Sequence, residues 1–291
     1  MNATQLRIRY RMGQPDAGVL YVVATPIGHL GDLSHRGSEV LKQVQIVAAE
    51  DTRRTRVLLE HIAHRAPELV SLHEHNEEEV AGRLLERLRG GDDVALVSDA
   101  GTPLLNDPGF VLIRLAHDAG ITTVPVPGPC AITAALSVCP LPCQPFRYVG
   151  FLPAKSNARR QRLSEWLALG DALVFLESPR RILGALQDIA AVSDRRVMLG
   201  RELTKQYETI LAGTPAELIE ALGEHPKGEF TGVIECGDVP QGSFEQRAVL
   251  EALLLELPPA RAAKVAAQIC GVKKSEMYDL AMQLSARQTD L

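Results

Sequence analysis

The sequence predicts an α/β fold whose first half is organised around a largely parallel sheet. Three observations carry that expectation. Short apolar, β-branched runs recur at VLYVV (19–23), QIVAA (45–49), LVSL (69–72), VALVS (94–98) and ITTVPV (121–126), as expected of buried strands. Helical patterns fill the intervals, and strand–helix alternation favours a parallel sheet with helical crossovers. After the proline-rich CPLPCQPF (139–146) the alternation resumes with RYVGF (147–151), ALVFLE (172–177), RRVMLG (195–200), YETIL (207–211) and EFTGVIEC (229–236).

Residues 1–17 carry scattered charges and no apolar segment, so they are expected to form a flexible extension rather than a secretory signal. The first domain is expected over 18–146. Within it, Asn76 with Glu79 three residues on suggests a capping box. The helix it opens carries Val80, Leu84, Leu85 and Leu88 on one face and stops at Gly90-Gly91. The prolines of 139–146 place a boundary there, giving a second domain over 147–238. Past Gly237 a polar linker leads to a helical tail over 244–291, where PPARAAKVAAQIC and KKSEMYDLAMQL flank Gly271.

Hydrophobic residues make up 46% of the 291, enough for a full core. The net charge of −5 gives a whole-molecule field that attracts neither nucleic acid nor an anionic membrane, so any polyanion must be held by a local patch. No run of 18 apolar residues occurs, so no membrane span is expected. Five cysteines are an odd number, and the CPLPC spacing fits neither a zinc site nor a thioredoxin motif. Reduced thiols in a cytoplasmic protein are expected, with a Cys139–Cys143 disulfide as the alternative. No metal constellation is evident.

In open parallel sheets ligands bind beyond the carboxyl ends of the strands. Four such ends are unusual here: ATPIGHLGD (24–32), AEDTRRTR (49–56), SDAGTPLLNDPG (98–109) and PGPCAITAALS (127–137). A plain connection needs only a few turn formers, yet Asp99, Gly101, Pro103, Asp107, Pro108 and Gly109 crowd one of these. Each stretch also has a purely structural reading. ATPIGHLGD makes a tight strand-to-helix loop, and the small residues after Pro129 allow a helix to pack closely. Asp51 suits a helix cap, and the arginines after it suit a solvated face. A nicotinamide site would need the first glycine of the dinucleotide fingerprint, which ATPIGHLGD lacks, although Glu50 and Asp51 stand at the expected distance for its acid.

These stretches, with SLHEHN (71–76), GFLPAKS (150–156), LVFLESPRR (173–181), RELTKQYETI (201–210) and KGEF (227–230), occur in one order and spacing. The ordered set closely resembles the tetrapyrrole-methylase superfamily, and within it the group that methylates small-subunit ribosomal RNA. The likeness spans roughly residues 18–237 plus a tail of the kind those proteins carry. Two departures are His29, where the group usually has asparagine, and Leu176, where a tyrosine is common. The resemblance implies two α/β domains, a mainly parallel first sheet, a mixed second sheet and a homodimer. It implies S-adenosylmethionine as cofactor and 2'-O-methylation of a cytidine in the decoding region of 16S ribosomal RNA, on naked RNA or the small ribosomal subunit. The cofactor contacts it implies are Pro26, Gly28, Leu30, Asp99, Ala100, Gly101, Leu104, Cys130, Ala131, Ser178 and Leu203.

A hydroxyl attacking a sulfonium methyl needs alignment and a proton acceptor. Asp51 and Glu177, each at a strand's carboxyl end, are the candidate bases, and Arg53 is placed to grip a phosphate with a two-pronged contact. Two cationic clusters are candidate RNA contacts: Lys155, Arg159, Arg160 and Arg162 in PAKSNARRQR, and Arg180 with Arg181 after LES. Three competing readings are a methylase of a tetrapyrrole, the nicotinamide enzyme, and a DNA binder using the tail as a helix-turn-helix with Lys273-Lys274 at its second helix.

Overall fold

Five strands of four residues each form the first sheet of the computed structural model, which describes residues 16–62, 67–238 and 246–288. They are β1 (Leu20–Val23), β2 (Ile46–Ala49), β3 (Glu68–Ser71), β4 (Val94–Val97) and β5 (Thr123–Val126). All pair in parallel in the order β3-β2-β4-β1-β5. Residues 1–15 of the expected extension, most of the polar linker and the tail's last three residues lie outside the described residues.

Alternate side chains of these strands feed two cores, as a sheet covered on both faces requires. Leu20, Ile46, Ala48, Val94 and Leu96 pack against Leu84 and Leu88 of α3 (Glu77–Arg89) and Leu112 of α4 (Phe110–Asp118). Tyr21, Val23, Val47, Ala49, Ala95 and Val97 face Leu41 of α1 (His35–Gln43) and Leu58 and Leu59 of α2 (Thr52–His61). Asn76 is the N-cap of α3, but the expected capping box does not form. Its Oδ1 accepts the His73 N–H at 2.8 Å and its Nδ2 donates to the Ser71 carbonyl at 3.1 Å, bracing the turn into the helix instead. Glu77, Glu78 and Glu79 supply the negative charge that the helix N-terminus favours.

The second sheet is mixed, in the order β6-β7-β10-β8-β9. Strands β6 (Phe146–Phe151) and β7 (Ala172–Glu177) are parallel. Strand β10 (Phe230–Ile234) runs antiparallel to both β7 and β8 (Val197–Arg201), and β9 (Thr209–Gly213) is antiparallel to β8. One face packs on α6 (Ser156–Leu167), α7 (Ile182–Val192) and α8 (Pro215–Leu222) through Leu163, Leu186, Ile189 and Leu218. The opposite face is covered from the first half of the chain. Helix α5 (Ala131–Ser137) sets Ile132 and Ala135 against Val174, Met198 and Val233.

The tail is a separate small core. Helices α9 (Gln246–Leu254), α10 (Pro259–Cys270) and α11 (Lys274–Gln288) bury Leu250, Ala262, Ala266, Cys270, Met277 and Ala281 among themselves. Gly271 ends α10 at φ 66°, the left-handed C-cap conformation that glycine adopts without steric cost. All five cysteines are free thiols, Cys139 and Cys143 included. No helix among the described residues is long and apolar enough to cross a membrane.

Helices α6 and α7 are tied by a buried ionic cluster. Asp188 accepts from Arg159 Nε at 2.7 Å, Arg160 Nε at 2.6 Å and Ser156 Oγ at 2.8 Å, with its side chain 3% exposed. Burial raises the Asp188 pKa, but the hydrogen bonds from Arg160, Ser156 and Arg159 outweigh it and hold the carboxyl below its usual range. Removing one partner of a buried pair strands the other charge, which costs about 3–5 kcal/mol. Asp188→Ala is therefore expected to lower the urea midpoint sharply. Arg162→Ala, which breaks only an exposed pair with Glu165, should change stability by less than about 1 kcal/mol.

Candidate active site

The carboxyl ends of β1 and β4 meet one end of the second sheet, and a cleft of about 430 Å³ opens between them. The register explains why three strands of the second sheet contribute at one level, since Phe230 of β10 pairs with both Glu177 of β7 and Arg201 of β8. Ile27, Asp99, Ala100 and Ala131 line the cleft from the first half, and Leu176, Glu177, Ser178, Gly200, Leu203 and Phe230 from the second.

Two loops of the first half are locked to each other beside the cleft. The Thr25 and Gly101 backbones exchange N–H···O bonds of 2.9 and 3.0 Å, and Ser98 Oγ donates to the Gly101 carbonyl at 2.9 Å. Gly101 sits at φ 89°, and a Cβ there would lie 3.2 Å from the Ile27 side chain. Gly101, among the cofactor contacts that the resemblance implies, has the freedom of glycine to seat one loop on the other here.

Further along the same loop, Leu104 and Asn106 both adopt φ 73°, a conformation that persists only where the surroundings over-determine it. They do so here. Tyr148 Oη donates to Asn106 Oδ1 at 2.5 Å, and Glu77 Oε1 accepts the Gly109 and Val111 N–H groups at 2.9 Å each. A bulge in β6 brings Gly150 so close to Asn106 that a Cβ would lie 2.8 Å from its amide nitrogen. The result is Asp107 held on the cleft wall.

Five carboxylates line the cleft against one lysine. Asp99 accepts the Asp51 N–H at 2.9 Å and has Arg54 at 3.7 Å. Glu202 and Glu229 share Lys205 at 3.0 and 2.8 Å. Glu177 is buried; its Oε1 accepts the Ser178 N–H at 2.9 Å, and Arg181 lies 3.1 Å from Oε2, off line for a hydrogen bond. Burial pushes its pKa up, against the opposing pull of the Ser178 N–H and Arg181. Asp107 is pushed up to about 6 by burial first and then by the charges of Glu50 and Asp99.

The expected residues separate into distinct places. Asp99, Ala100, Ala131, Glu177, Ser178 and Leu203 line the cleft. Pro26 and Leu30 line a smaller depression of about 80 Å³ that shares Asp99 with it. Gly28 lies under the 203–205 turn, where a Cβ would meet Lys205 Cγ at 2.4 Å, and the neighbouring His29 N–H donates to Thr204 Oγ1 at 3.1 Å. Leu104 and Cys130 flank the lining, Cys130 as the N-cap of α5.

Asp51 is not on the cleft wall. It caps α2 through the Arg53 N–H at 2.9 Å and grips the Arg53 guanidinium at 3.0 and 2.7 Å. The side-chain bonds from Arg53, then the backbone bond, lower its pKa to about 2. A carboxylate that acidic is a poor proton acceptor.

Among the expected RNA contacts, Lys155, Arg162 and Arg180 are exposed, and so is Arg160, although its Nε is held by Asp188 at 2.6 Å. Arg159 is buried on Asp188, and Arg181 is half-buried between Glu177 and the Leu152 carbonyl, to which it donates. Both leave the phosphate-contacting set, because their charges are spent inside the protein. Sequence reasoning missed Asp107, Asn106 and the Lys205 cluster as site residues, although the density of turn formers at 98–109 and the motifs RELTKQYETI and KGEF marked their positions. No group of three or more His, Cys, Asp or Glu arranged for a metal ion occurs among the described residues.

A doubly covered parallel sheet facing a mixed sheet across an acidic cleft describes a two-domain α/β enzyme. A family model described as Tetrapyrrole (Corrin/Porphyrin) Methylases matches residues 19–219, and one described as RsmI C-terminal HTH domain matches 242–285. The chain belongs to the tetrapyrrole methylase family. It is similar to the Ribosomal RNA small subunit methyltransferase I of Pseudomonas aeruginosa, 47% identical over 276 residues covering 92% of this chain and 98% of that protein. The protein of the same name from Escherichia coli O157:H7 is also 47% identical, covering 91% and 95%. The uroporphyrin-III C-methyl transferase of Thermus thermophilus, solved with S-adenyl homocysteine, shares the fold at a TM-score of 0.54 and 19% identity, covering 75% of this chain and 98% of its own.

Asp107 makes stability depend on pH. Its folded pKa is raised from 3.8 to about 6, so the associated stability is full below the lower value and is lost as pH rises through the upper one. Asp107→Asn should therefore gain stability relative to the parent between about pH 4 and pH 7.5. Urea denaturation at both pH values checks this, and an unchanged difference would place Asp107 in a well-solvated site.

Proposed function

We propose that the protein is an S-adenosylmethionine-dependent methyltransferase that modifies the 2'-hydroxyl of a cytidine in the decoding region of 16S ribosomal RNA, acting in the cytoplasm as a homodimer. The observation that carries this reading is the likeness, over nine-tenths of the chain and including its helical tail, to enzymes named for small-subunit ribosomal RNA. A tetrapyrrole substrate accounts for the two sheets but leaves the tail without a purpose.

The cleft fits the cofactor on its chemistry. A sulfonium and an ammonium are cations, and, Asp107 aside, the wall sets Asp99, Glu177, Glu202 and Glu229 against a single lysine. Ile27, Leu176, Leu203 and Phe230 give the apolar surface that an adenine ring needs. When bound, the cofactor supplies an electrophilic methyl group. The chain's task is then to hold the hydroxyl oxygen in line with that carbon and to exclude water. Asp99, Ala100, Ala131, Ser178 and Leu203 would hold the cofactor, with Pro26 and Leu30 at its margin. Gly28, Gly101, Leu104 and Cys130 shape the loops behind them.

Arg53 projects into solvent with its side chain 88% exposed, one edge fixed by Asp51, so its other edge can meet a phosphate. Lys155, Arg160, Arg162 and Arg180 extend the cationic surface, and Lys273 and Lys274 stand at the start of α11 in the tail.

The test is transfer of labelled methyl from S-adenosylmethionine to small-subunit RNA or subunits, followed by mapping of ribose methyls. One new 2'-O-methylcytidine is the expected product; a methylated base, or methylation of a tetrapyrrole in its place, would refute the reading. In the same system Arg180→Ala should weaken RNA binding and flatten its salt dependence by about 0.7–0.9 of a slope unit. Cofactor affinity should stay unchanged.

A further inference from the structure

We propose that Asp107 is the catalytic residue that takes the proton from the attacking substrate hydroxyl. The inference rests on the methyl-transfer reading above and adds to it the identity of the base. Among the cleft carboxylates, four are already engaged: Asp99 by the Asp51 N–H and Arg54, Glu177 by the Ser178 N–H and Arg181, and Glu202 and Glu229 by Lys205. Asp107 makes no hydrogen bond or ion pair with any described residue, yet it lines the same cleft. An acceptor must have a free lone pair pointing at the proton it removes, and here only this carboxylate has both of its oxygens free.

Its placement is also held rigidly. Asn106, one residue before it, is pinned by Tyr148 in a left-handed conformation, and Glu77 anchors the loop two residues after it. Rigid support of this kind is what a base needs to meet a hydroxyl at hydrogen-bond distance without reorganising. Burial and the neighbouring acids leave Asp107 with a pKa of about 6, ionised at neutral pH yet more basic than an ordinary aspartate. Asp51, at about 2, offers neither the position nor the basicity.

The step balances as follows. The hydroxyl proton passes to an Asp107 oxygen while the hydroxyl oxygen's electron pair forms the bond to the methyl carbon of S-adenosylmethionine. The carbon–sulfur bond breaks with its pair left on sulfur, discharging the sulfonium. Asp107 then releases the proton to solvent, to which it is partly open.

The experiment is single-turnover methyl transfer at saturating RNA and cofactor by wild type, Asp107→Asn and Glu177→Gln, with cofactor affinity measured by calorimetry. Asp107→Asn should slow transfer by about 10²-fold or more, with cofactor Kd within about threefold of wild type, showing that the site is folded. The wild-type rate should rise with pH to a plateau above an apparent pKa at or below about 6, and Asp107→Asn should lack that limb. The groups facing Asp107 that could contribute to such a profile are Glu50 and Asp99 from the first sheet, Tyr148 through Asn106, and Glu177, Glu202, Glu229 and Lys205 across the cleft. Glu177→Gln separates the strongest of these alternatives, because it should keep the limb.

An Asp107→Asn protein that turns over at the wild-type rate overturns the proposal. So does one whose cofactor affinity falls in proportion to its rate, because Asp107 would then be a counter-charge. A wild-type protein that transfers no methyl group to small-subunit RNA overturns the functional reading, and the proposal with it.

Discussion

Helix α5 leaves the first sheet and buries Ile132 and Ala135 on Val174, Met198 and Val233 of the second. That contact fixes the distance between the two sheets, and everything in the cleft depends on it. Burying one isoleucine contributes about 1.5–3 kcal/mol, and Leu141 and Leu203 extend the same seam. Because α5 starts at Ala131 on the cleft wall, the residues that seal the halves together also position the site. The turn at 203–205 repeats this on the other side, where Leu203 belongs to both seam and cleft while Thr204 takes the His29 N–H. A boundary drawn at the prolines of 139–146 divides the sheets along the chain but cuts through this packing unit.

Every strand was readable in the sequence because each is a short apolar run bounded by turn formers, and the cores fill as the alternation of side chains requires. Pairing direction in the second sheet was less accessible from the residues. The β8–β9 hairpin and the antiparallel insertion of β10 are set by contacts far apart in sequence, and the resemblance rather than the pattern supplied that expectation. Local signals also competed with tertiary ones. Asn76 had the spacing for a capping box, yet the Ser71 carbonyl and His73 N–H held its amide first. Arg159 sat in a run of exposed cations, and only Asp188, 29 residues later, turns it inward.

The distribution of charge suits the two tasks that the proposed function assigns to the molecule. A net charge of −5 conflicts with grip on a polyanion only if charge is averaged. The cleft concentrates carboxylates, as the proposed binding of a cationic cofactor needs, while Arg53, Arg162 and Arg180 stay outside on the surface. Asp51 joins the two regions. Its N–H holds Asp99 on the cleft side, and its carboxylate aims Arg53 outward. Its contacts in the structure are positional, and its low pKa reflects how tightly it holds Arg53.

The loop at 98–109 shows why a site can be less stable than its surroundings and still be precise. Two left-handed non-glycine residues and a partly buried, unpaired carboxylate each work against folding. The compensation is placed at either end of the strain: the Thr25–Gly101 pair at the start, the Tyr148–Asn106 bond in the middle, and Glu77 on two backbone N–H groups at the close. These partners come from the loop after β1, from β6 and from α3, so the loop cannot relax without loosening its neighbours around both sheets. A carboxylate without a partner among the described residues would ordinarily find one by a small movement of its backbone. Here the backbone is denied that movement, and Asp107 stays available to whatever enters the cleft.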